Sequence, residues 1–326
     1  MKTRRGAARF RSLTIALPVA ASFVFGTSVL VSPGHALAST KPPTDLSYYV
    51  SSADTDSTAQ TLGCNQAQFD NTNHANSYVT LDFGAQRYDG AGTYLPSTTY
   101  FWSNSQDVSY ALYFAYGYES CTPSYTVNLN IGTNNSGSGI DGALGADWGS
   151  LVQEVANDAA ADGYSNVYVE GATDAEPGYS TFAVFTDWEL GDSTGGGYQS
   201  TTSLLISDFG SADGCPGTLG DYGDHYCDNT WYQSSVYDAA WGYSPNAGNP
   251  EIYYNGCNGL ANQPVQWANI SDFGIHYGKS GQILFEGPLD QDNCLTSAEA
   301  WSDFQTALSD DGVSSAMSYS TEITTK

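Results

Sequence analysis

Asn166-Val-Tyr-Val-Glu-Gly-Ala-Thr-Asp-Ala-Glu-Pro-Gly178 is the stretch on which the fold turns. Val167, Tyr168 and Val169 are β-formers, and they follow a helix-like segment that stops at Gly163. Pro177 has no N–H to give a ladder and Gly178 breaks the extended run, so the strand ends there. Period-two alternation turns Asp174 and Glu176 to the same side. Two carboxylates therefore meet at the C-terminal end of a strand, where parallel α/β sheets place their chemistry. A solvated acidic turn or a helix cap would be spelled with the same letters, so the surrounding pattern has to decide.

Outward from this stretch, strand and helix signals alternate. Strands are expected at 78–84, 125–132, 203–208, 251–255 and 282–286, with 98–102 and 317–323 completing eight. Between them, apolar residues at helical spacing mark helices near 108–116, 148–159, 231–241, 265–273 and 297–308, and 179–189 is a short helix or helical loop. The segment with Trp148, Leu151, Val152, Val155 and Ala159 is the clearest amphipathic one, with Asp147 as its expected N-cap. Short strands without clean alternation are those of a parallel sheet covered on both faces. The expectation is an α/β chain folded as a (β/α)8, TIM-like barrel. An open doubly wound sheet is the other arrangement, but no Gly-rich phosphate loop is present for its usual nucleotide cargo.

The first 38 residues are those of a signal peptide. Lys2, Arg4, Arg5, Arg9 and Arg11 precede an apolar run from 13 to 31, and Ala36-Leu37-Ala38 is a small-x-small cleavage site. A retained membrane anchor is the alternative, against which Pro18 and the cleavage site argue. Residues 39–75, rich in Ser, Thr, Asp and Asn, are expected to be a linker or a docked arm, and 76–326 the barrel domain. Only Lys41, Arg87, Lys279 and Lys326 remain as cations after residue 38, against 35 Asp and Glu. Such a surface repels nucleic acid and anionic membranes and suits neutral or cationic ligands. The six cysteines are an even set in a chain with an export signal, and so are expected in disulfides. Shared faces and loops of the strand map pair Cys64 with Cys121, Cys215 with Cys227 and Cys257 with Cys294. A secreted, extracellular monomer follows.

At the expected strand ends stand Asp82, Asn130, Asp174 with Glu176, Asp208, Asn255 and Glu286, with Asn134 just beyond the second strand. Carboxylates and amides bond the hydroxyls of a neutral polyol, and aromatic rings take its C–H faces. Trp102 and Trp188, expected in loops, are the stacking candidates, whereas Trp148, Trp231 and Trp301 fall in core phase. No cysteine or histidine spacing fits zinc, and no G-x-S-x-G elbow occurs. Asp213, Asp221 and Asp224 could hold calcium but lack the D-x-D-x-D-G order, so no metal and no cofactor is expected.

Ala175-Glu176-Pro177 resembles the Asn-Glu-Pro acid/base motif of retaining glycosidase barrels, and Phe285-Glu286-Gly287 resembles their nucleophile position. Ala175 departs from that motif, where an Asn bonds the sugar 2-hydroxyl. Asp174-x-Glu176 is also similar to the D-x-E ending of chitinase-type and lysozyme-type barrels, although Val169 and Ala172 replace the first two acids of the fuller chitinase pattern. As a whole the chain is similar to a group of secreted bacterial proteins with a glycosidase-like barrel and no assigned activity. Ile131-Gly-Thr-Asn-Asn-Ser-Gly137, Gly171-Ala-Thr-Asp-Ala-Glu-Pro177 and Gln266-Trp267-Ala268 carry that likeness. It implies a neutral polysaccharide or cell-wall glycan as partner. Glu176, Glu286 and Asp174 would be the catalytic acids of a glycoside hydrolase, with Glu176 facing Glu286 across the barrel mouth. A barrel that binds glycan without cutting it, or serves a structural role, is the alternative.

Overall fold

The computed structural model describes residues 40–325, except 138, 194, 195, 260, 292, 293 and 315. The expected signal peptide, 1–38, lies outside the described residues. In chain order the elements begin with β1 (Thr44–Tyr49), α1 (Asp56–Asn73), β2 (Ser77–Gln86), β3 (Gly92–Tyr94), β4 (Phe101–Ser103) and α2 (Asn104–Ser120). Then follow β5 (Val127–Asn134), α3 (Gly142–Ala161), β6 (Val167–Asp174), α4 (Phe182–Leu190), α5 (Tyr198–Thr201) and β7 (Ile206–Asp208). The chain continues through α6 (Gln233–Tyr237), β8 (Asn246–Gly248), α7 (Gln263–His276), β9 (Leu289–Asp290), α8 (Ser297–Asp310) and β10 (Ser320–Thr325).

Eight strands form a curled parallel sheet in the order β8-β7-β6-β5-β2-β1-β10-β9, with the antiparallel hairpin β3–β4 branching from β2. Two isolated parallel bridges, Gly248 to Phe285 and Glu251 to Leu289, run between the segments at the two ends of that order. The architecture is TIM-like. Outward residues of the long central strands, such as Leu81, Phe83, Leu129 and Ile131, pack into the main core under the helices. Ala172, Phe209, Tyr253, Leu289 and Ile323 make a smaller cluster on the concave side. Among the described residues, no helix is long and apolar enough to cross a membrane.

All three expected disulfides form. Cys64–Cys121 staples α1 to α2, with 5.3 Å between Cα atoms. Two glycines allow those helices to touch. A Cβ on Gly63 would lie 2.0 Å from Phe114 O, and one on Gly117 would lie 2.0 Å from Gln60 O.

Several elements differ from expectation. The supposed arm, 39–75, is the first strand–helix unit: β1 pairs with β10 and β2. Its polar spelling has a structural cause. Asp45 and Ser47 face the concave side and accept the N–H groups of Tyr78 and Thr80 at 3.0 and 2.7 Å, in place of main-chain partners. The strand expected at 98–102 is the return strand of the hairpin. The strand expected at 251–255 sits earlier, at β8, where Asn246, Ala247 and Gly248 have little β-propensity and are held by pairing with β7 and by the bonds of Asn246 Nδ2 to Glu189 Oε1 and Ala239 O. The strand expected at 282–286 contributes a single bridge at Phe285, and β9 follows Pro288. The N-cap of α3 is Asp141, which accepts from Leu144 N, rather than Asp147. The cap of α8 is Thr296, which forms a capping box with Glu299.

Candidate functional site

The C-terminal ends of β1, β2, β5 and β6, with the segments after β7 and β8, surround a cavity of about 690 Å³. Alternation along β6 turns Ala172 into the concave cluster and Asp174 into the cavity above it. Past the strand end, Asn135 clamps the next residue. Its Oδ1 accepts Glu176 N at 3.1 Å, and its Nδ2 donates to Glu176 O at 3.2 Å and to Ser180 Oγ at 3.1 Å. Asp208, at the end of β7, braces the same turn by accepting the N–H groups of Ala175 and Gly210. Glu251 enters after Pro250, its N–H bonded to Gly210 O at 3.1 Å.

Asp174, Glu176 and Glu251 each present an oxygen within 4.8 Å of the other two. Asp82 and Asp213 line the same cavity, with the rings of Tyr49, Tyr179, Tyr253 and Tyr254. No Lys, Arg or His lines it among the described residues. With no cation close by, burial outweighs the hydrogen bonds that these carboxyls accept. It pushes Glu176 up to about 7, and the neighbouring charge of Asp213 adds to it. Asp174 is driven well above the carboxylate range by burial, then by the charges of Glu176, Glu251, Asp82 and Asp208. Glu251 is driven well above that range by burial and then by Glu176. Burial raises Asp82 to about 7 as well. Asp174 Oδ1 is buried without a hydrogen-bond partner. Three such carboxyls share protons and titrate as a group.

The residues singled out from sequence separate in the structure. Asp82, Asn134, Asp174 and Glu176 line the cavity. Glu286 does not. Its carbonyl accepts Tyr319 N, and its charge is felt by Glu170 and Tyr78. Those two residues lie four positions before Asp174 and Asp82 on their strands, about 13 Å below the cavity at 3.3 Å per residue. Asn130 is buried lower in the sheet, bonded to Val79 O and Asn128 O. Asn255 bonds Asp303 on α8. Trp102 and Trp188 are buried, and the Trp188 indole donates to Gln86 Oε1 at 2.6 Å. The three acids of the 208–228 loop diverge: Asp213 lines the cavity, Asp221 pairs with His225, and Asp224 accepts Ser234 N.

Glu251 is the acid that the sequence reading passed over as a site residue. A strand drawn from 251 puts it at a strand start, whereas β8 ends at Gly248 and puts it at a strand exit. The signal was Pro250, which marks the exit beside one acid as Pro177 does beside another.

A hard divalent cation also fits this donor set. Two oxygens held about 2.3–2.6 Å from one calcium lie at most roughly 5 Å apart, which the spacing here allows.

No family model, curated protein or solved structure matches the chain.

Proposed function

We propose that the protein is a secreted (β/α)8-type barrel that binds a neutral glycan in this cavity and hydrolyses its glycosidic bonds. The observation that carries the reading is the group of three carboxyls within 4.8 Å on a cavity wall with four tyrosines and no cation among its described residues. Retaining glycosidases hold their two carboxyls about 5–5.5 Å apart, and inverting ones about 6.5–9.5 Å. With nearest oxygens no more than 4.8 Å apart, the group is closer to the retaining spacing than to the inverting one, with Glu251 in the place that the sequence likeness gave to Glu286. Glu176, pushed up to about 7, keeps a proton to deliver to the leaving oxygen. Glu251, on another strand exit, shares protons with Glu176, and in the form of the group in which Glu251 is the ionised member it attacks or shields the anomeric carbon. Asp174 stays protonated beside them and limits the negative charge of the group. Tyrosine rings bear the C–H faces of the sugar, and the acids and Asn134 take its hydroxyls.

The test is turnover of neutral polysaccharides from bacteria and plants, with the product anomer followed by NMR. Glu176→Gln and Glu251→Gln should each remove most activity on a poor leaving group. An activated aryl glycoside needs less protonation and should lose less with Glu176→Gln. Glycan binding by the wild type with no turnover on any substrate would leave the second reading, a binding barrel. Ala175, in place of the asparagine that bonds the 2-hydroxyl in the glycosidase motif, favours that one.

A further inference from the structure

The hairpin β3–β4 rises from the end of β2 that bears Asp82. Its tip, Pro96, Ser97 and Thr98, forms one wall of the acid cavity. The turn from β2 that leads into it, together with the last residue of β3, does something else. Tyr88 and Tyr94 are 76% and 37% exposed, and with Ser136, Gly137 and Gly139 they line a separate groove of about 310 Å³. A single exposed ring needs no explanation. Here Tyr94 is braced. The Arg87 guanidinium lies 5.9 Å from the Tyr94 ring centre and 4.3 Å from that of Phe101, and it is tied to Asp89 at 2.6 Å. Arg87 is the single arginine after residue 38, so a scarce cation is spent on fixing an aromatic surface.

The facing wall is made low by glycine. A Cβ on Gly139 would come within 3.1 Å of Tyr88 Cβ, and Gly137 has nothing within 4 Å. Groove and cavity adjoin. Ala85 pairs with both Tyr94 and Asn134, and Asn134 lines the cavity two residues before Ser136 lines the groove. No charged residue lines the groove among the described residues, which suits a neutral ligand.

We propose that this groove seats the continuing chain of a neutral polysaccharide, one unit of which lies at the acid cavity. The inference rests on the glycan reading above and adds to it that the substrate is a polymer taken in mid-chain. Tyr94, braced by Arg87, and the exposed ring of Tyr88 offer faces beside glycine on which sugar units stack, and each stacked unit tightens binding without touching the reacting bond.

The experiment compares a neutral polysaccharide with a disaccharide aryl glycoside on wild type, Tyr88→Ala, Tyr94→Ala and Glu176→Gln. Circular dichroism melts check that each variant folds. The ratio of polymer KM to disaccharide KM should rise about tenfold in each tyrosine variant. A ratio unchanged in both tyrosine variants overturns the groove, and hydrolysis still stands if Glu176→Gln is inactive. If the wild type binds polymer without turnover, binding lost tenfold in Tyr88→Ala upholds the groove while hydrolysis fails. No polymer binding at all overturns the groove, as does a wild-type dimer that the tyrosine variants make monomeric.

Discussion

Asp82→Asn should flatten the pH dependence of stability. Asp82 is 2% exposed, and burial raises its carboxyl from 3.8 to about 7 despite the Gly84 N–H that Oδ1 accepts at 2.8 Å. A carboxyl whose pKa rises on folding binds more protons folded than unfolded between those two values. Its penalty is absent below 3.8, grows as pH rises toward 7, and is constant beyond it. For this shift the penalty is about 1.7 kcal/mol at pH 5 and about 4 kcal/mol at pH 8, a difference of about 2–3 kcal/mol. Asparagine keeps the oxygen that accepts Gly84 N–H and removes the ionisation. Urea unfolding of both proteins at pH 5 and 8 is the assay. The wild type should lose about 2–3 kcal/mol more than Asp82→Asn across that interval. Parallel losses would refute the argument, because they would mean that water reaches Asp82 freely in the folded state. Asp208, raised to about 7 for the same reason, predicts the same direction for its own asparagine variant.

On α3, Leu151→Ala should cost about 2–5 kcal/mol and Glu154→Ala about 0.5 or less, since only the first is buried; equal melting shifts would mean that the helix presents another face. Removing both Cys64 and Cys121, which are 57 residues apart, should cost about 2–5 kcal/mol in denaturant unfolding, and no loss would mean the staple is absent in solution. Asn135→Ala leaves Glu176 N–H without its acceptor and should cost about 1–3 kcal/mol; an unchanged melt would show that the clamp is not formed.

How far the sequence could be read depended on what each residue was bonded to. Strands β2, β5 and β6 were legible because Val79, Leu81, Leu129, Ile131, Val167 and Val169 pack apolar faces under helices, and apolar burial leaves a pattern. β1 was hidden because Asp45 and Ser47 spend their side chains on the main chain of β2, which makes a strand spell like a loop. β8 was hidden because three small residues are held by neighbours on both sides, a tertiary effect with no local trace. The acids were half legible. Asp174 and Glu176 share a strand end and could be found together, whereas Glu251 depended on where β8 stops. Glu286 has the right neighbours in sequence and the wrong depth in the sheet, and depth is set by register, which no single strand encodes.

The pairing of β1 with β10 has a bearing on how the chain is made. Six residue pairs, from Thr44 with Ser320 to Tyr49 with Thr325, join strands that leave the ribosome far apart in time. Until β10 emerges, β1 has an unpaired edge, and the sheet that lines the cavity lacks one side. Contacts so distant in sequence slow folding and leave edges open to other chains in the meantime. A circular permutant that joined 325 to 44 through a crossover linker of about a dozen or more residues, as parallel strands require, and opened the chain in an exposed loop would make this seam local. It should fold faster and aggregate less, with the acid cavity unchanged.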